Sequence, residues 1–131
     1  DGETNLLAAY TCTPLVKIPV SMLKPGEKVR GATVAELGNR NRPLDMIVYR
    51  QDDRDFLLMA NSSRGLMKIS TDRIADIEEI TQRVGDVAGL DYETIEGVTG
   101  VVQLDRMNER EALILKEDGD GGLQLQSVAL P

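Results

Sequence analysis

A chain of 131 residues that is 41% hydrophobic has the length and apolar content of one folded domain, which excludes disorder and a coiled coil. Its net charge of -7 argues against nucleic acid, since phosphate binding needs clustered Lys and Arg, and no apolar run approaches the roughly 20 residues of a membrane helix, so no membrane insertion is expected. There is no His and one Cys, which removes the commonest general base, internal disulfides and Cys-x-x-Cys zinc sites, and no catalytic residue is assigned.

The first residues, DGETNLLAAY, have neither an initiator Met nor a basic leader, so the start reads as cut and the chain as the end of something longer. Residues 6–20, LLAAYTCTPLVKIPV, read as two strands joined by a polar break, with Pro14 and Pro19 marking the second as an edge. Cys12, between two Thr in a strand pattern, reads as a small core residue. Pro25-Gly26 is a turn signal. Residues 28–37, KVRGATVAEL, are strand-like but small, which suits a strand crowded by neighbours, and residues 38–43, GNRNRP, read as a loop.

Residues 43–70 carry three strand signals and two turns. The run 56–60, FLLMA, is solidly apolar and is expected to be buried on both faces. Ile74, Ile77 and Ile80 fit either a short amphipathic helix or an extended connection. Residues 82–90 read as a loop, 92–96 and 98–104 as strands, 111–115 as a second dense apolar run, and 123–128 as a final alternating strand. Three hairpins resemble one another: LLAAY-TCTP-LVKI, FLLMA-NSSRG-LMKI and ALILK-EDGDGG-LQLQ. Ile18 and Ile69, like Leu66 and Leu123, stand roughly 50 to 60 residues apart, and Ile47 and Met59 have the same separation as Val101 and Leu113. Short sheets repeating at such a period point to all-β, antiparallel four-stranded propeller blades; the alternative is a β-sandwich.

The stretch KVRGATVAELGNRNRPLDMIVYRQDDRDFLLMANSSRGLMKIS resembles a blade of the six- to eight-bladed β-propellers of the NHL and YVTN type. The resemblance implies about two and a half blades: a half blade at 1–20, a central blade at 28–70 and a last blade at 71–131, together the C-terminal portion of a longer propeller. It also implies an extracytoplasmic protein. Asn61 resembles the Asn that binds metal or substrate at the channel mouth of gluconolactonase-type propellers, and the bland reading is that Asn61 starts an Asx turn. Glu36 and Asp45 are carboxylates that could face such a channel or stand at the loops.

Asp118 and Asp120, in DGDGG, have the alternate carboxylates and Gly of a calcium loop, but entry into a strand rather than a helix favours a hairpin turn. Asn61-Ser62-Ser63 fits the glycosylation pattern. Arg40, Arg42, Arg50, Arg54 and Arg64, interleaved with Asp52, Asp53 and Asp55, read as a solvated rim, and Met46, Met59 and Met67 as core fillers. The expected role is a scaffold that binds a protein or small-molecule ligand; the alternative is a metal-dependent hydrolase or lactonase. Uncovered apolar faces at the two ends are expected to make the chain self-associate.

Overall fold

The computed structural model describes residues 2–131. The chain is all-β, with eleven strands, one 3-10 turn at Val20–Met22, and no α-helix among the described residues. It forms three antiparallel sheets. The first takes β1 (Asn5–Ala9), β2 (Cys12–Pro19), β3 (Ala32–Asn41) and β7 (Val87–Gly89) in that order, and the central one takes β4 (Pro43–Gln51), β5 (Arg54–Asn61), β6 (Gly65–Ser70) and β8 (Tyr92–Ile95). The third is β9 (Val101–Arg106), β10 (Glu111–Glu117) and β11 (Leu123–Ala129), with β10 in the middle.

The dense run of β5 explains the stacking. Side chains alternate across a strand, so Leu57 and Met59 point to one face and Phe56, Leu58 and Ala60 to the other. All five are buried. The first face packs with Met67 and Ile69 of β6 against Leu15, Val34, Ala35 and Leu37 of the first sheet. The second packs with Tyr49 and Leu66 against Val101, Leu104, Ala112 and Ile114 of the third. The central sheet is thus covered on both sides, as the unbroken apolar run predicts. Met59 and Met67 are register partners filling the first core, and Met46 packs at its margin.

Turn chemistry closes the β4–β5 hairpin without glycine. Asp52 and Asp53 take φ of 48° and 60°, the paired positive values of a two-residue hairpin turn, which Asp tolerates better than most side chains.

Several expectations are corrected. Residues 38–41 continue strand β3 instead of forming a loop: Gly38 at φ 88° and Arg40 at φ 63° bend the strand, and Asn41 still pairs with Cys12. The polar composition of GNRNRP signals the bend and not an end. Strand β3 pairs with β2 and β7, so it joins the first sheet and not the one built from residues 43–70. Of the two readings of residues 71–81, the helix does not propagate: the segment makes a single turn and then a connection. The bonds Ile74 N–H to Thr71 O (2.9 Å) and Ile77 N–H to Arg73 O (3.1 Å) make one unpropagated turn, which seats Ile74 and Ile77 against the first core, and Ile80 N–H then reaches Thr33 O at 3.0 Å. Within the expected loop at 82–90 lies β7, held on β3 because Gly89, at φ 81°, brings its backbone where a Cβ would stand 2.2 Å from Val34 O. The crowding expected around the small-residue segment is present at Gly31, where a Cβ would meet Val16 Cγ1 at 2.4 Å. Cys12 is exposed at φ 89° and is not a core residue.

Candidate functional site

Among the described residues, the buried polar side chains are Asn41 and Asn61, at the ends of β3 and β5. The chain turns there from the first sheet into the central one through the single residue Arg42. Pro43 has no N–H, and the β4–β5 register slips between Pro43 and Asp45, so the backbone groups of this corner lack regular ladder partners. Side chains supply them. The Asn61 Oδ1 accepts from Ser63 N–H at 2.9 Å, closing an Asx turn, and from Arg42 N–H at 3.4 Å, while Asn61 Nδ2 donates to Asn41 Oδ1. Ser62 N–H donates to Arg42 O at 3.1 Å.

Arg64, in the same turn, leaves the surface. Its Nε donates to the Tyr92 hydroxyl at 3.2 Å and its Nη2 to Asn39 O at 2.9 Å, over Gly38, where a Cβ would stand 2.8 Å from Nη2. Glycine there leaves room for the guanidinium. Arg64 is therefore corrected from the solvated rim, whereas Arg40, Arg42, Arg50 and Arg54 are exposed as expected. Among the described residues, the buried polar atoms without a hydrogen-bond partner include Asn41 Nδ2 and Arg64 Nη1 at this corner and, on β3, Glu36 Oε2. On the turn's other side, residues 62–65 and 94–102 wall an open groove of about 550 Å³ that also takes in Leu44 and Glu117.

Of the residues singled out from sequence, Asn61 lies at this groove, but its amide is engaged within the fold and only 2% of the residue is exposed. That geometry matches the Asx-turn reading and closes Asn61 to glycosylation in the folded chain. Glu36 is half-buried on β3, between Pro14 and Ala88. Asp45 sits elsewhere: its Oδ1 accepts from Met46 N–H at 2.9 Å and its Oδ2 from Leu104 N–H at 3.0 Å, joining β4 to β9. Asp118 Oδ1 accepts from Gly122 N–H at 2.6 Å and Asp120 N–H at 3.2 Å, with a backbone bond from Asp118 N–H to Gly122 O at 2.8 Å, which is a hairpin turn. Among the described residues no three His, Cys, Asp or Glu side chains gather where they could hold a metal ion.

A second polar group lies on the central sheet. Lys68 Nζ stands 4.3 Å from the Phe56 ring centroid and donates to Pro131 O at 2.7 Å and Gln51 Oε1 at 3.2 Å, with Glu93 at 3.9 Å. The Tyr49 hydroxyl donates to the same Pro131 oxygen at 2.6 Å. Burial, with the Glu93 carboxylate nearby, pushes Tyr49 up to about 12. Leu130 packs against the second core, so these bonds hold the segment after β11 across its margin.

Asn41, Arg64 and Tyr92 could not be picked out from sequence, because the corner that joins them exists only once three strands meet. What the corner offers chemically is recognition: guanidinium and amide donors and backbone groups of two turns. Comparison with known proteins finds no matching family model, no matching curated protein and no matching solved structure.

Proposed function

We propose that this chain is part of a propeller-type scaffold that binds a protein or small-molecule ligand at the groove between residues 62–65 and 94–102. The observation that carries the reading is the central sheet: it is buried on both faces by neighbouring sheets, as a propeller blade must be. The order of the hairpins supports it. The apolar strands β1, β5 and β10 are followed by β2, β6 and β11, and short links join β3 to β4 and β8 to β9, while between β6 and β8 the chain returns to the first sheet as β7. Turns at one end of stacked sheets form a concave surface, and Arg64 with Glu96 and Glu117 equips it for polar ligands. An exported protein suits this role.

The test is binding measured with the turn altered. Ser62→Ala/Arg64→Ala, checked for unchanged melting, should lose at least about tenfold in affinity for any ligand found by screening peptides and small molecules against the wild-type chain. Ligands that bind both proteins equally overturn the placement. Calcium-dependent ester or lactone turnover, abolished in Asn61→Ala, would replace the scaffold with the hydrolase.

A further inference from the structure

We infer that strand β11 is a docking edge for a second copy of this chain, and that two copies pair antiparallel across it about a two-fold axis at Gln126. The strands that follow the apolar runs, β2 and β6, each have a neighbour on their far side, β3 and β8. Strand β11 follows the apolar run of β10 and has none among the described residues.

The phase of the ladder shows what this edge presents. Asp118 N–H bonds Gly122 O and Leu130 N–H bonds Arg110 O, both at 2.8 Å, and the register between these pairs is unbroken from Glu117↔Leu123 to Glu111↔Ala129. Even-numbered residues of β11 therefore direct their backbone groups to β10. Leu123, Leu125, Ser127 and Ala129 direct theirs outward. Those positions are symmetric about Gln126. In a two-fold pair Leu123 meets Ala129 of the partner subunit, and Leu125 meets Ser127 of the partner subunit. Gln126 faces its own copy, and every outward N–H and C=O of the strand is matched.

The occupant is a second copy because the strip is neutral and self-matching. Strand β11, LQLQSVA, carries no charge, although the chain carries -7, so two copies can meet here without setting like charges opposite one another. Leu123 and Leu125 are 61% and 66% exposed. The remaining edges are blunted or shorter. The third sheet's other edge, β9, has its Leu104 N–H taken by Asp45. Strand β4 holds Pro43, Asp45 and Arg50, β7 and β8 have 3 and 4 residues, and β1, at 5, directs only Asn5, Leu7 and Ala9 outward. The closed two-fold pairing uses the one long, uncharged edge and produces a continuous six-stranded sheet.

The contact is small beside the roughly 1,600 Å² of a standard interface, so the dimer should depend on concentration, dominant near about 200 µM and dissociated near about 2 µM in sedimentation. Leu125→Pro removes an outward N–H that β10 does not use, and should leave a folded chain that is monomeric at both concentrations. In a Cys12→Ser background, Gln126→Cys should oxidise to a disulfide-linked dimer, since antiparallel residues facing each other without mutual hydrogen bonds lie about 4.5 Å apart at Cα, within disulfide range. Leu125→Cys, whose two copies are one pair out of register, should cross-link far less. A wild-type monomer at the higher concentration overturns the proposal. So does a dimer that survives Leu125→Pro, or equal cross-linking at positions 125 and 126.

Discussion

Leu58→Ala tests whether the central sheet is closed on its second face. Leu58 is fully buried and belongs to the core shared with the third sheet, whereas its neighbour Leu57, equally buried, belongs to the core shared with the first. Removing a buried leucine side chain costs roughly 2–5 kcal/mol through lost transfer energy and the residual cavity. For a domain of this size each kcal/mol moves Tm by about 3–5 °C, so a drop of about 6–25 °C is expected for either variant. The two side chains point into different cores, so their effects should add, and the double variant should approach the roughly 5–15 kcal/mol that holds a domain together. Leu125→Ala, on a side chain 66% exposed, is the control and should move stability by no more than about 0.5 kcal/mol at dilute concentration. Urea titration followed by circular dichroism gives all four numbers. A loss below about 1 kcal/mol for Leu58→Ala, alongside a full loss for Leu57→Ala, would refute the packing of the third sheet on the central one.

The remaining predictions concern single groups. Tyr49 is raised to about 12 in the folded chain from an ordinary 10.0, so the folded state holds its proton more tightly: the stabilisation is complete below pH 10 and is lost as pH rises through about 12. Tyr49→Phe should remove that alkaline decline in Tm and cost about 1 kcal/mol at neutral pH by leaving the Pro131 carbonyl one donor short. Asp45→Ala strands the N–H groups of Met46 and Leu104 and should cost about 1–3 kcal/mol, with hydrogen exchange at Leu104 accelerating more than at Leu57. Cys12, exposed at φ 89°, should react fully with a thiol reagent in the native protein, and Cys12→Gly should raise stability by up to about 1 kcal/mol as backbone strain is relieved.

The strands and hairpins were legible before any tertiary contact was known. Alternation, dense apolar runs and turn residues are local signals, and they located β1, β2, β5, β6, β10 and β11 to within a few residues because each hairpin is closed by its own turn. The double burial of residues 56–60 was legible for the same reason: no polar position interrupts the run, so neither face can meet water. Which strand pairs with which was decided by tertiary structure wherever the partner is distant. Strand β3 reads as the opening of the next unit because Gly38, Asn39 and Asn41 look like a loop, yet Gly38 and Arg40 bend it and it stays paired with β2 and receives β7 from far down the chain. Nothing local distinguishes a bend from a break. The candidate site shows the same division. Asn61 stood out from its place after an apolar strand, but its bond to Asn41, the capture of Arg64 by Tyr92 and Asn39, and the use of Asp45 to join β4 to β9 arise only where strands far apart in sequence converge. At those junctions backbone ladders end, and the polar side chains that happen to be near must satisfy the groups left over.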